Sequence, residues 1–375
     1  TTESTWHDSG YTEYDILAGS YIVEYLSVSG WNAPGNQEVT IYADQTTNTS
    51  GTYIETVASS RPDLRVMGYN IMQLPVQDWD QDQRLAHLPD AIRALADQPD
   101  VIAFSEVLTD DAYNTLESLS DVYPYLTPIV GQVCSGGGWD SITGDCSDAI
   151  TVVRGGMCIA SKWPILEQHA YIFVNSIFGS ADYQANKGAA YIEIDKNGYI
   201  YHVLGTHLQA THDGDADTEH EVRMAQLDEM KTWIDSFGIP ASEPVILAGD
   251  MNVDFSLTDQ IIDMLLISNT ALNFPNDQGF GSYPEDNWMS RAFNYYFGYD
   301  MCYDDTLDYV LTRTDHLMPA TMPAMEVVPL KAQESWYWSY LYGTWPLCSG
   351  SYWHDGYTTD LSDHYPVAVT YTYAP

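Results

Sequence analysis

The chain has 375 residues, with 53 Asp and Glu against 13 Lys and Arg, a formal net charge of −40. Its length suffices for one large domain or two smaller ones, and 45% hydrophobic with 13% aromatic residues argues against wholesale disorder. No apolar run approaches the roughly 20 residues of a membrane-spanning helix, and 13 cations make a basic, nucleic-acid-gripping surface hard to build.

In chain order, residues 1–60 differ from the rest. Tyr21–Val28 and Glu38–Ala43 read as strands around the turn-rich Gly30–Gly35, giving a small β-rich N-terminal domain or extension whose role the sequence does not disclose. The chain starts Thr1-Thr2-Glu3, without an initiator Met, and reads as a mature product whose targeting segment was removed or never included. From residue 61 to 375 short apolar strands alternate with helical segments. Leu64–Ile71, Val101–Val107, Val245–Leu247 and Leu307–Leu311 have the near-continuous apolar character of buried strands. Tyr191–Asp195 and Tyr199–Leu204 flank Lys196-Asn197-Gly198, a hairpin turn. Asp82–Ala96 and Glu219–Phe237 carry helical spacing, although Pro89 interrupts the first. Hairpins mixed with helices predict an α/β fold of two packed sheets flanked by helices.

Five cysteines allow two disulfides and one spare thiol. Cys134 and Cys146 bracket a Gly-rich loop that a bridge would restrain, worth about 3 kcal/mol. Cys302 and Cys348 form the next pair, leaving Cys158 buried in an apolar stretch. Spacing alone does not fix the connectivity, and free thiols of an intracellular protein are the alternative. The pairing predicts a secreted protein. At molar salt the screening length falls to about 3 Å, so the acid excess suggests a marine or halophilic source. The acidic run His212–Glu219 reads as a solvated loop, with a cation site as the alternative.

Polar residues gather at the ends of the expected strands. Asn70 closes one, Glu106 the next, His207 a third, and Asp250 with Asn252 a fourth; Asp363 and His364 precede the last, Tyr365–Val369. Strand ends converge on clefts, so groups far apart in sequence can meet there. Mg²⁺ prefers hard oxygen ligands and takes one or two carboxylates. Glu106 is the leading ligand candidate, with Asn70 near it, and an extended Asp250-Met251-Asn252 would put two oxygen groups on one side. Two histidines beside such a metal suit phosphoryl chemistry, one as base and one stabilising charge.

The ordered set, together with Ser161-Lys162-Trp163-Pro164-Ile165, Asn186-Lys187-Gly188, Gly205-Thr206-His207-Leu208-Gln209-Ala210, Gly249-Asp250-Met251-Asn252-Val253, Leu307-Asp308-Tyr309 and Ser362-Asp363-His364-Tyr365-Pro366-Val367, resembles the endonuclease/exonuclease/phosphatase (DNase I-like) superfamily. Within it the closer resemblance is to bacterial neutral sphingomyelinases. It runs across residues 64–372 and leaves residues 1–60 outside. It implies a four-layer α/β sandwich and a phospholipase C-type hydrolysis of sphingomyelin to ceramide and phosphocholine. It further implies that Glu106 holds Mg²⁺, or another divalent ion such as Mn²⁺ or Co²⁺, with Asn70 assisting and Asp363 binding a second ion or water. Asp250 and Asn252 would orient phosphate and water, His364 would be the general base with its tautomer fixed by Asp308, and His207 would donate to a phosphate oxygen.

Trp336, Tyr337, Trp338, Tyr340, Tyr342 and Trp345 cluster about Gly343, suggesting an aromatic hairpin. Such rings suit the lipid headgroup zone, and the resemblance assigns a hairpin at this place to membrane docking. The alternative is that the rings cover the protein's own core. The expected partner is therefore sphingomyelin in a membrane surface, with no nucleic acid, and the chain is expected to act as a monomer. The rival enzyme reading is a secreted, salt-adapted nuclease of the same superfamily. A binding module without chemistry is disfavoured because every expected catalytic position is filled.

Overall fold

The computed structural model describes residues 10–26, 28, 31–55, 61–75, 77–149, 153–211, 215–275 and 279–374. The chain divides into two compact units, residues 1–61 and 62–374. In the first, Gly19–Val23 pairs antiparallel with Gln37–Ile41, and Trp31–Asn32 with Ile54–Glu55. Gly19–Val23 and Gln37–Ile41 alternate half-buried and exposed residues.

The second unit is built on two sheets. A six-stranded sheet runs, edge to edge, through Glu326–Val327, Val367–Tyr371, Leu64–Gln73, Val101–Val107, Cys158–Ser161 and Tyr125–Leu126. A seven-stranded sheet runs through Thr270–Leu272, Asp308–Arg313, Val245–Asp250, Tyr199–His207, Gly188–Lys196, Ile165–Ile172 and Ser141–Gly144. This is the mixed α/β architecture expected. The Lys196-Asn197-Gly198 turn forms as read, with Asn197 and Gly198 both at positive φ, the backbone a two-residue hairpin needs.

Strand periodicity sorts the core. In the first sheet Val66, Val101 and Ala103 join a cluster containing Val203, Val245 and Val310 of the second sheet. Their neighbours Met67, Tyr69, Ile102 and Phe104 point the other way and pack with Leu85, Leu88 and Ile92 of the helix Gln81–Arg93 and with Leu116 of Asp110–Glu117. Leu204 and Leu247 of the second sheet line a small space with Leu227, Met230 and Ile234 of the helix Ala216–Asp235. The sheets meet closely where side chains are missing. A Cβ on Gly68 would lie 3.0 Å from the Gly249 nitrogen, and one on Gly205 2.8 Å from Met157 Sδ.

Several elements differ from the sequence reading. Pro89 lies inside Gln81–Arg93 without ending it, although it has no N–H for the Leu85 carbonyl. His212, Asp213 and Gly214 of the acidic run lie outside the described residues. Asp215 does not continue a loop; its side chain caps the helix Ala216–Asp235 by accepting from the Asp217 N–H. The helices Asp110–Glu117, Thr258–Ser268 and Trp288–Phe297 were not read from the sequence. Cys134–Cys146 and Cys302–Cys348 are bonded, and Cys158 is a buried free thiol.

Candidate active site

The site starts with an irregularity shared by two parallel strands. The register between Leu64–Gln73 and Val101–Val107 shifts just after Asn70, and Met72 and Glu106 both take left-handed backbone, at φ +50° and +57°. Such geometry is uncommon for residues with long side chains and concentrates at functional sites. It re-aims Glu106 at the end of its strand. Asn70 Nδ2 donates to Glu106 Oε1 and to Asp250 Oδ2, each at 3.1 Å, so one amide clamps carboxylates from both sheets. Its Oδ1 accepts the Met72 N–H at 3.0 Å. Asn70 is therefore first a donor holding two acids in place, and any ligation through Oδ1 shares that oxygen with Met72.

His207 and Asp250 are partners in the parallel pair Tyr199–His207 and Val245–Asp250. Asp250 Oδ2 is a hub, 3.6 Å from His207 Nε2 and 3.8 Å from His364 Nε2. The strand ends at Asp250, and Asn252 turns to φ +50° with its N–H donating to Asp250 Oδ1 at 3.0 Å. Of the extended and turn forms open to Asp250-Met251-Asn252, the structure takes the turn, so a left-handed turn and not strand alternation sets the two side chains. Asn252 Nδ2 donates to the Leu208 carbonyl at 3.2 Å.

Lys187 stands behind His207. Its Nζ lies 2.8 Å from Asp182 Oδ1, 3.0 Å from the Leu208 carbonyl and 3.1 Å from His207 Nε2. An ammonium only donates, so His207 Nε2 accepts and the ring's own proton sits on Nδ1. Burial, reinforced by the Lys187 charge, lowers the His207 pKa to about 4. His207 is neutral near pH 7.

On the opposite side His364 Nδ1 lies 2.7 Å from Asp308 Oδ2, an oxygen that also accepts the Ser282 hydroxyl at 2.7 Å. The Ser282 hydroxyl oxygen in turn accepts the N–H groups of Leu307 and Asp308. The Tyr283 ring meets the His364 ring edge-on at 5.0 Å. Ser362 donates to the Asn70 carbonyl at 2.6 Å, tying the Asp363-His364 loop to the strand that carries Asn70. Beneath this junction lies Arg84, 1% exposed, donating to the carbonyls of Ile71, Met72, Trp79 and Leu361.

Electrostatics define the centre. Burial and then the neighbouring Asp363 raise the Glu106 pKa to about 7. Burial also raises Asp363. Burial alone would lower His364, but Asp308, Asp363 and Asp250 together carry it well above its ordinary value. Crowded carboxylates held this way match a hard divalent cation, which accepts oxygen donors and offsets their charge. Asp250, Asp308 and His364 also bring ligand atoms within 4.8 Å of one another. The short Asp308–His364 bond already uses Nδ1 and one carboxylate oxygen of that group.

Asn70, Glu106, His207, Asp250, Asn252, Asp308, Asp363 and His364 therefore gather at one place. Lys187, Asp182, Ser282, Tyr283 and Arg84 join them without having been given roles from the sequence. Only Lys187 had a signal there, inside Asn186-Lys187-Gly188; a lone Ser, Tyr or helical Arg has none.

The aromatic segment needs correction. Trp336, Trp338 and Trp345 face inward and belong to the core with Met67, Tyr69 and Phe104. Large apolar rings next to a sheet face gain more by burial than by exposure. Tyr337, Tyr340 and Tyr342 remain exposed, as do Tyr352, Trp353 and Tyr357. The hairpin exists, but it is Gly343–Leu347 paired with Gly350–His354, turning at Cys348-Ser349 rather than about Gly343.

The Endonuclease/Exonuclease/phosphatase family matches residues 67–364. The chain is 33% identical over 322 residues to Sphingomyelinase C of Leptospira interrogans, covering 83% of this chain and 52% of that protein, so it spans about half that relative's length. To Sphingomyelinase C of Listeria ivanovii it is 33% identical over 273 residues, covering 72% of this chain and 74% of that one. A crystal structure of a mutant beta toxin from Staphylococcus aureus with bound magnesium ions superposes with a TM-score of 0.68 at 28% identity, over 83% of this chain and all of that one. With the motifs in family order and their side chains gathered at one place, the chain belongs to the Endonuclease/Exonuclease/phosphatase family and, within it, to the bacterial sphingomyelinase C group.

Proposed function

We propose that the protein is a metal-dependent sphingomyelin phosphodiesterase that releases phosphocholine and leaves ceramide. The observation that carries this reading is the convergence of two histidines and a crowded set of carboxylates, through hydrogen bonds and charge contacts under 4 Å, from strand ends of both sheets and the loop before the last strand. Glu106 and Asp363, with Asn70 beside them, would hold a divalent ion such as Mg²⁺, which when bound offsets their charge and polarises a phosphate oxygen.

The chain's own residues do the rest. His364 acts in its neutral form, which a bound cation would favour by offsetting the carboxylate charge around it: Nε2 takes a proton from the attacking water, and the Asp308 carboxylate keeps the other proton on Nδ1 and steadies the imidazolium that forms. Asp250, facing Nε2 at 3.8 Å, orients that water. As water oxygen bonds to phosphorus, the bond to the ceramide oxygen breaks, that oxygen takes a proton from solvent water, and His364 returns its own proton to solvent, so none is gained or lost overall. The Lys187 ammonium, whose hydrogens go to Asp182, the Leu208 carbonyl and His207 Nε2, acts through its positive charge on the side where phosphate charge builds up. The exposed rings of the 331–360 segment suit contact with the membrane that holds the substrate. Two disulfides accord with a secreted protein, and the −40 charge with a salty medium.

Phosphocholine release from sphingomyelin, measured beside cleavage of DNA with Mg²⁺ and with chelator, tests the reading. Turnover of the lipid that stops with chelator, with Glu106→Ala and with His364→Ala, is the expected result. DNA cleavage without lipid turnover would transfer the assignment to a nuclease.

A further inference from the structure

Asp182, which holds Lys187, belongs to the segment between the strands Ile165–Ile172 and Gly188–Lys196. Polar side chains brace this loop at its base. Glu229 of the helix Ala216–Asp235 accepts the Val174 and Asn175 N–H groups at 2.8 and 2.9 Å. Gln226 of the same helix donates to the Asn175 carbonyl and accepts the Gln209 N–H, each at 2.8 Å. Gln209 in turn accepts the Ile177 N–H at 3.3 Å and donates to Asp182 Oδ2 at 2.9 Å. Gln209 lies two residues past His207, so these bonds join the loop to the catalytic strand. What the braced loop displays is apolar. The Ser180 N–H closes a turn on the Ile177 carbonyl at 3.1 Å, and Gly179 at φ +86° supplies the backbone its third position needs. Phe178 stands at the corner of that turn, 84% exposed, and its ring centroid lies 5.0 Å from that of the half-exposed Tyr183. Val174 beside them is 59% exposed. In a chain with 53 Asp and Glu, residues 168–181 contain none.

We propose that Phe178 and Tyr183 hold the apolar ceramide part of the substrate as it departs, so that this loop sets the preference for a lipid leaving group. The inference rests on the sphingomyelinase reading and on the direction of the reaction. Attacking and leaving oxygens lie roughly in line through phosphorus. His364 activates the water on one side of Asp250, so the ceramide oxygen departs on the other, where His207 and Lys187 stand. Tyr183 directly follows Asp182, whose Oδ1 lies 2.8 Å from Lys187 Nζ, so the ring pair borders the path of the departing chain. Charge selects the occupant. An uncharged hydrocarbon gains by covering exposed ring surface on an acid-free stretch, whereas a cationic choline would be drawn to the carboxylates that crowd the other parts of the site.

Steady-state kinetics of the full chain on two soluble phosphocholine esters isolate the leaving group. One is a short-chain sphingomyelin kept below its micelle concentration, the other p-nitrophenyl phosphocholine. Monomeric substrates take membrane binding out of the measurement. In Phe178→Ser with Tyr183→Ser, the ratio of kcat/KM for the sphingomyelin over that for the p-nitrophenyl ester should fall about tenfold, because two rings lose their apolar contact with the departing chain. Phe178→Leu with Tyr183→Phe keeps apolar surface at both positions and should keep most of the ratio. An unmoved ratio in the Ser variant overturns the inference. So does an equal fall on both esters, which would mean that the rings serve the choline or the fold instead. A wild type inactive on sphingomyelin sinks the assigned reaction and ceramide as the occupant with it, a failure distinct from an unmoved ratio in an active enzyme.

Discussion

Asp308 Oδ2 lies 2.7 Å from His364 Nδ1, and both groups are buried. The carboxylate has a fixed place because Ser282 and the start of its own strand hold it, so the imidazole is oriented before any substrate arrives. Asp308→Asn removes the charge but keeps the shape. By analogy with other carboxylate-oriented imidazole bases, kcat should fall about 10²–10⁴-fold. The direction of the pH change follows from the charge. Asp308 favours the imidazolium, so its loss lowers the His364 pKa, and the acid limb of the kcat/KM profile shifts to lower pH. A profile unmoved in Asp308→Asn would show that His364 is not the group titrating in the rate.

The Glu106 carboxyl is uncomfortable without a cation. Its folded pKa of about 7 exceeds the ordinary 4.5, so the folded state holds the extra proton between those values. Its contribution to stability therefore declines as pH rises through that window. Glu106→Gln should leave the metal-free protein as stable as the wild type, or more so, at pH 7.5, and this advantage should vanish below about pH 4.5. The same change should abolish stabilisation by Mg²⁺, which in the wild type reaches about 2.7 kcal/mol at a hundredfold excess over Kd. Thermal melts with and without Mg²⁺ at both pH values measure each effect. An undiminished Mg²⁺ shift in Glu106→Gln would remove this residue from the ligand set.

Strand ends were the legible part of this molecule. Asn70, Glu106, His207, Asp250 and His364 each close or precede an apolar run; one polar residue at a strand end is commonly structural, but the ordered set of them is not. The two sheets followed from the same runs, since buried strands announce themselves by composition. What stayed hidden depended on long-range geometry. Asn252 is the exception, because its left-handed turn is local: its N–H bonds to Asp250 Oδ1 two residues before, an Asx turn that Asp-x-Asn also permits. The tryptophans at 336, 338 and 345 looked like surface rings because nothing local reveals the sheet face they cover. Trp288–Phe297 went unread because its aromatic residues have poor helix propensity, and the caps that define it, Asn287 and Gly298, also suit a turn.

Arg84 is the clearest hidden support. It is fully buried and its guanidinium donates to four backbone carbonyls. Burial lowers its pKa to about 10, which still leaves it charged at neutral pH. Arg84→Met fits the volume but strands carbonyls at the bulge after Asn70 and at Leu361, beside the catalytic loop. Each unsatisfied group costs about 1–3 kcal/mol, so urea unfolding should show a loss of about 3 kcal/mol or more. Arg84→Lys should recover only part of it, since an ammonium has three donors and no planar fork. A loss under about 1 kcal/mol in Arg84→Met would mean that water satisfies these carbonyls and that the arginine is dispensable.

Salt should act on this fold in the direction opposite to its usual effect on ion pairs. The paired cations are few: Arg65, Arg93, Arg154, Lys187, Lys196, Lys231, Arg313 and Lys331 each already meet at least one carboxylate. Most of the 53 acids therefore face other acids through solvent, with 13 cations in all to balance them. Raising salt from 0.1 M to 1 M shortens the screening length from about 10 Å to about 3 Å. That change weakens long-range repulsion far more than the few contacts at hydrogen-bond distance. The melting temperature should rise by about 5 °C or more over this range in KCl. Because KCl screens charge without the strong surface exclusion of sulfate, a flat or falling curve would mean that self-repulsion is not what limits stability, and the salt-adapted reading of the composition would go with it.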